Sequence, residues 1–417
     1  MRTPPSGLFG LLVAEFWERF SYFAVLSLLA LNLNERLLLS EGQASTLAGS
    51  FAALSYLTPL FGGWLADRGL GAGRTILLGA ICLLAGYLAL MHASLAATYG
   101  AIGLLALGSG LFKPSFTTWL SSLAGDPASG QRQASFRWLF FCVNLAAAVA
   151  PLCIGGIQAR RGFAAAFAFC ALSMLLCLAC IAALFLRSIR NDDMPKRAAD
   201  EAKAGAGPRA LAVLCLPSIA FFVVFSQSMG ALVFWARDHI DRTLGGWLSA
   251  PIPPAMTLAV VPVLVLFLLP MQEPLRRRLI GQRVSHRPST ALAAALLFAV
   301  LSAGMLCLPE LAQPHVTPHS AAWLLASYLF LTLGELLLVP LSLSLIDSLA
   351  PPRWRATYSG IYYLAIAAGS QLGSDLSRLW GSLGPAAYFA VVALIPLIAM
   401  LLLLRFRRAL DRPQQRC

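Results

Sequence analysis

The sequence predicts an all-α integral membrane protein of twelve transmembrane helices, arranged as two pseudo-symmetric six-helix bundles. Three observations lead there. Of 417 residues, 59% are hydrophobic and only 12% charged, about half the charge of a soluble chain. Apolar runs of the roughly 20 residues that a bilayer requires recur along the whole length. One long polar segment, from Arg187 to Ala210, divides those runs six and six. The expected domains are therefore residues 1–187 as the N-terminal bundle, 188–209 as linker, and 210–417 as the C-terminal bundle with a short basic tail.

In order, the spans are expected near 8–33, 43–66, 75–93, 96–122, 134–157, 163–187, 210–236, 248–271, 290–309, 320–349, 356–380 and 385–405. The first is too long and too charged to read as a signal peptide. The eighth, with Pro251, Pro253, Pro254, Pro262 and Pro270, is the least regular.

The first span carries the most informative residues. Glu15, Glu18, Arg19 and Tyr22 follow i, i+3, i+4 and i+7 spacing and share one helix face. A charge at mid-membrane costs about 2.5–3.5 kcal/mol on insertion scales, so three together demand a reason. A locked structural ion pair is one reading. A polar stripe that handles protons or substrate beside a cavity is the other.

The basic surplus, a formal net charge of +13, sorts by loop. With both termini inside, cytoplasmic segments hold 22 of the 31 Lys and Arg and the opposite face holds 6. Arg19, Lys113 and Arg137 lie within spans. This is the positive-inside rule, and it places both termini in the cytoplasm of a multi-pass plasma (bacterial inner) membrane protein. The basicity is topological and calls for no nucleic-acid partner.

Two patterns organise the halves. Leu107 through Ala124 aligns without gaps on Leu333 through Ala350, matching Leu-Gly pairs, Pro114 with Pro340, and the closing Ser-Leu-Ala. These are spans four and ten, so the halves are parallel repeats. Between spans two and three, Gly62, Gly63, Asp67, Arg68, Gly71 and Arg74 form a short Gly-, Asp- and Arg-bearing loop.

No zinc-protease helix motif, phosphate loop or nucleophile elbow appears, so neither an enzyme nor an ATP-driven pump is expected, and no cofactor is implied. Nine cysteines without a loop pattern read as free thiols. His315 and His319 are four apart, but Pro314 and Pro318 break the helix that would align them on a metal.

Taken together, these motifs resemble the proton-dependent oligopeptide transporters of the major facilitator superfamily. Glu15 to Phe23 matches the family's Glu-x-x-Glu-Arg-Phe-x-Tyr-Tyr. Tyr56 matches the tyrosine six residues before paired glycines, and Gly108, Gly110, Lys113 and Pro114 match Gly-x-Gly-x-x-Lys-Pro. Phe136 with Asn144, and Gly334, Glu335 and Pro340, match the fifth and tenth spans. The resemblance implies a proton-coupled symporter of di- and tripeptides. Arg19 and Lys113 would take the ligand carboxylate and Glu335 its amino group. Tyr22, Tyr56, Asn144, Gln227 and Tyr362 would line the substrate site, and Gly63, Asp67, Arg68 and Arg74 the cytoplasmic gate. Glu15, Glu18, Arg19, Lys113 and Glu335 would carry proton coupling. The implied partners are a small peptide or peptide-like substrate, protons and membrane lipid, and the fold can work as a monomer.

Several positions depart from the pattern. Phe23 and Ala24 replace Tyr and Gly, and Ser226 stands where many members carry an acid. Pro253-Pro254 replaces Asn-Pro, and Tyr362-Tyr363 replaces a Trp-aromatic pair. All but the first fall in the C-terminal half. They keep alive two alternatives: transport, including export, of modified peptides or another carboxylate-bearing molecule, and a non-transporting membrane sensor or scaffold.

Overall fold

The computed structural model describes residues 6–65, 71–123, 130–190, 208–268, 288–312, 318–349 and 355–407. Among these the chain is helical, apart from one isolated bridge between Ile240 and His319. Its contacts divide it into two compact units, Met1–Leu38 with Leu54–Ala199, and Leu39–Ala53 with Asp200–Cys417.

In the first unit, α1 spans Ser6–Leu31 and runs on through a π-helical turn, Asn32–Arg36. Arg36 then donates to the Leu90 and Met91 carbonyls at the end of α4, Gly71–Leu90. The second span is broken: α2 (Glu41–Leu57) stops at Thr58 and α3 (Pro59–Leu65) starts with a proline that has no N–H to give. The Thr58 hydroxyl lies 2.9 Å from the Leu54 carbonyl and 2.7 Å from Ala106 of α5 (Leu95–Leu123). Glycines set how closely these helices approach. A Cβ on Gly62 would lie 1.9 Å from the Gly110 carbonyl oxygen, and one on Gly108 would lie 2.8 Å from that of Gly79. Gly108 and Gly110 therefore serve two seams, α5 against α4 and α5 against α3. A run assigned to α6, Gly130–Arg190, contains two spans, because the backbone turns at Gly162 with φ 79°. That value favours glycine.

In the second unit, α7 (Pro208–Ser226) is separated from α8 (Ala231–Asp238) by a 3₁₀ turn at Gln227–Met229 and by Gly230. The eighth span begins later than expected. Residues 248–253 are not helical, a 3₁₀ stretch covers Pro254–Ala259, and α9 covers Val260–Leu268. Consecutive prolines lack the donors that an α-helix would need there. Then follow α10 (Pro288–Ala312), α11 (Ala321–Leu349), α12 (Arg355–Leu376) and α13 (Trp380–Phe406). The Leu39–Ala53 part of α2 packs here: a Cβ on Gly49 would sit 1.5 Å from Ser374 Oγ, and Glu41 pairs with Arg237 and accepts from Trp380 Nε1 at 2.7 Å.

Seven helical stretches among the described residues are long and apolar enough to cross a membrane. Two of them, Trp138–Arg187 and Gly360–Phe406, have 50 and 47 residues, enough for two passes each. The 26-residue α1 is also long enough to cross, and differs from these seven in carrying Glu15, Glu18 and Arg19.

Candidate functional site

The first unit gathers the charges of α1 around one lysine of α5. Arg19 Nε donates to Glu15 Oε1 at 2.7 Å, the i, i+4 geometry that one helix face allows. Glu18 Oε2 lies 2.9 Å from the same nitrogen, but neither Glu18 oxygen completes a hydrogen bond among the described residues. Glu18 is fully enclosed and held by charge alone. α1 is itself anchored by Ser21, whose hydroxyl lies 3.1 Å from the Trp17 carbonyl and 3.0 Å from that of Cys170 in α6.

Lys113 also approaches Tyr22. Its Nζ is 4.5 Å from the Tyr22 ring centroid and 5.8 Å from that of Tyr56, while Arg19 Cζ is 5.6 Å from Tyr22. The electron-rich face of one aromatic ring thus lies within range of two cations. Lys113 Nζ also donates to the Ser55 carbonyl at 3.2 Å, and the Ser55 side chain hydrogen-bonds Tyr22. Ser55, which sequence reasoning missed, orients both the lysine and the tyrosine. Nothing in a lone helical serine advertises that role. The Gly110 seam places Lys113 here, because it brings α5 against the α2–α3 break. Two acids and two bases make the cluster formally neutral.

In the second unit, Glu335 sits on α11 behind Gly334, where a Cβ would lie 2.7 Å from Phe221 and 3.0 Å from the Ala295 carbonyl. This close packing against α7 and α10 fixes the carboxyl. Its Oε2 is enclosed and has no hydrogen-bond partner among the described residues. A carboxyl with one oxygen buried and unpartnered either holds a proton or awaits a cation.

The other expected site residues are placed differently. Gln227 donates from Nε2 to the Val223 and Gly373 carbonyls at 2.8 and 2.9 Å, and its Oε1 accepts from Tyr388. Its amide braces α7, α12 and α13. Tyr362 is fully buried beside Ser218 and Ser342. Asn144 donates to the Phe140 carbonyl of its own helix at 2.9 Å. Ser226, which replaces an acid, bonds the Val223 carbonyl, and a Cβ on Gly373 would lie 2.2 Å from its Oγ, so that seam is closed. Of the gate residues, Gly63 faces Pro114 at ordinary contact distance and Arg74 is exposed at the start of α4. Asp67 and Arg68 lie outside the described residues.

Comparison with known proteins agrees with this architecture. Residues 11–374 match the family profile of the Major Facilitator Superfamily. A di-/tripeptide transporter of Lactococcus lactis subsp. cremoris is 25% identical, covering 97% of this chain and 95% of its own. Dipeptide and tripeptide permease A of Chromobacterium violaceum is 27% identical, with 88% and 83% covered. Among solved structures, a peptide transporter of the POT family in complex with sulfate superposes with a TM-score of 0.87 at 24% identity, covering 98% of this chain and 95% of that one. A POT family transporter in complex with 5-aminolevulinic acid gives 0.85 at 21%, covering 97% of both. The fold, the span-borne motifs and these relatives converge: the chain belongs to the Major Facilitator Superfamily, as a multi-pass membrane transporter and not an enzyme, with the peptide transporters among its relatives.

Proposed function

We propose that the protein is a proton-coupled symporter of di- and tripeptides working by alternating access in a bacterial inner membrane, with both termini cytoplasmic. The observation that carries this reading is the neutral cluster of Glu15, Glu18, Arg19 and Lys113, two acids balanced by two cations around Tyr22. A peptide carboxylate entering such a site adds one negative charge to a low-dielectric interior. That is unfavourable unless a cation is freed, which requires one of the cluster's own carboxylates to take a proton. Glu18, held by charge alone, is the residue best suited to take it. Substrate and proton then load together. Glu335, whose enclosed Oε2 has no hydrogen-bond partner among the described residues, receives the ligand's amino group or a second proton.

Recognition by the rest of the second unit is sparse. Gln227 and Tyr362 are committed to internal packing, which favours as a second reading a modified peptide or another small carboxylate with few contacts there. One experiment separates the two. The protein is reconstituted in liposomes under an inward proton gradient, internal pH is followed, and di- and tripeptides are offered alongside amino acids bearing single modifications. Peptide-dependent acidification lost in Glu335→Gln supports symport of peptides. Acidification by non-peptide carboxylates alone would transfer the assignment to the second reading, and uptake indifferent to the gradient would refute coupling.

A further inference from the structure

Outside the transport cluster, the second unit contains a group of titratable side chains with no role in the reading above. Trp235, fully buried on α8, donates its indole N–H to Glu310 Oε1 at 2.7 Å. His239, at the C-terminal cap of α8, places Nδ1 3.0 Å from that same oxygen. His319, just before α11, places Nε2 3.4 Å from it, with its side chain 1% exposed. Both imidazoles lie nearly parallel to the indole, at 10° and 23°. The backbone locks the pair together: His319 N donates to the His239 carbonyl at 2.7 Å and Asp241 N to the His319 carbonyl at 2.8 Å.

Three nitrogens therefore converge on one carboxylate oxygen, which has two lone pairs. The indole takes one. Neither His239 Nδ1 nor His319 Nε2 completes a hydrogen bond among the described residues. The surrounding charges are engaged elsewhere. Arg237 pairs with Glu41 and Asp238. Arg242 donates to the Ile252 and Arg237 carbonyls, and Asp241 accepts from Thr243 and Gly245. Phe389 of α13, which meets Trp235 edge-on and packs with Trp380 and Tyr388, brings no charge. Glu310 is thus the counter-ion available to an imidazolium here. One proton on either histidine makes an ion pair with Glu310 Oε1, at 3.0 or 3.4 Å, inside an enclosed site. A second would leave a net positive charge in an enclosed site.

We propose that Glu310, His239 and His319 form a proton-binding site holding a single exchangeable proton, separate from the transport cluster and on the face that the basic-residue distribution assigns to the outside. The convergence on an oxygen atom, and not on a common vacant point, selects a proton as ligand, in keeping with the absence of a metal-binding group among the described residues. The site joins the ends of α8 and α10 to the start of α11. Since α8 follows the break at Gln227–Gly230, the proton fixes the outer segment of the seventh span. The binding step does not rest on the peptide reading; only its consequence for transport does.

The test uses purified full-length protein in detergent, without substrate. Trp235 fluorescence, taken as the wild-type signal minus that of Trp235→Phe, is followed from pH 5 to pH 8. An imidazolium against an indole quenches it, so a single transition is expected within the range where histidines change charge. Glu310→Gln, which removes the carboxylate that both imidazoles face, should displace or abolish it. The more exposed His239→Gln, which is the milder change should Glu310→Gln fail to fold, should also shift or abolish the transition. Glu335→Gln should leave it in place. A signal flat across this range, or an unchanged midpoint in both Glu310→Gln and His239→Gln, would overturn the proposal. A normal transition in a protein that fails to transport peptides in the liposome assay would refute the transport reading and leave this one standing.

Discussion

Replacing Lys113 with methionine keeps most of the unbranched apolar stem and removes the ammonium head. The structure defines what is lost: the donor to the Ser55 carbonyl at 3.2 Å, the cation 4.5 Å from the Tyr22 ring, and one of two positive charges balancing Glu15 and Glu18. Under the proposed function the missing term is a charge-assisted hydrogen bond to the ligand carboxylate, worth about 1.5–3 kcal/mol. At about 1.4 kcal/mol per factor of ten, peptide affinity should fall about 10- to 150-fold. Lys113→Arg keeps the charge and should recover part of it. The assay is counterflow exchange of a labelled dipeptide in liposomes at equal pH on both sides, which removes the driving force and reports binding and reorientation. Half-saturation in Lys113→Met within twofold of wild type would refute the assignment of the carboxylate to this lysine.

Gly62→Ala would force a Cβ to within 1.9 Å of the Gly110 carbonyl, and backbone cannot swing aside as a side chain does. A loss of about 1–3 kcal/mol is expected, read as a lowered melting temperature of the detergent-solubilised protein, whereas Gly103→Ala, with nothing within 4 Å, should be silent. Tyr388→Phe removes a donor to Gln227 while Ser377 remains 3.4 Å from the same oxygen, so a modest cost of about 1 kcal/mol is expected in that melt, with peptide half-saturation unchanged. A change in substrate preference instead would show that Gln227 meets the ligand. Hydrogen bonds from the Thr243 hydroxyl and then from the Gly245 and Thr243 amides hold the Asp241 carboxyl below its ordinary range. A depressed carboxylate contributes above its unfolded value and loses that contribution as pH falls through its folded one. Intrinsic-rate-corrected amide protection at Thr243 and Gly245 should therefore be level from pH 7 to pH 5 and fall only below the ordinary carboxylate range. In Asp241→Ala it should be lost throughout.

What the sequence by itself determined follows from the cost of moving polar groups into hydrocarbon. That cost makes apolar span lengths legible, and it marks Glu15, Glu18, Arg19, Lys113 and Glu335 as residues retained for a purpose. The helical period then placed three of them on one face, as the 2.7 and 2.9 Å contacts of Arg19 confirm. The late start of the eighth span follows from the prolines that crowd its first residues.

Only the tertiary structure decided which way uncharged polar side chains turn. Gln227 and Asn144 satisfy carbonyls near at hand, because an amide in an apolar interior takes whichever partner packing offers, and that choice leaves no trace in spacing. Ser55 holds Lys113 through a backbone carbonyl that any residue would supply, and its hydroxyl meets Tyr22 only because the two helices dock there. His315, four residues from His319 in sequence, lies outside the described residues. The partner of His319 in space is His239, eighty residues away, brought to one carboxylate by the docking of α8, α10 and α11. Burial penalties are local and can be read along a chain. Pairing between helices depends on how faces dock, and that depends on glycine seams such as Gly62–Gly110, visible only once both sides are in place.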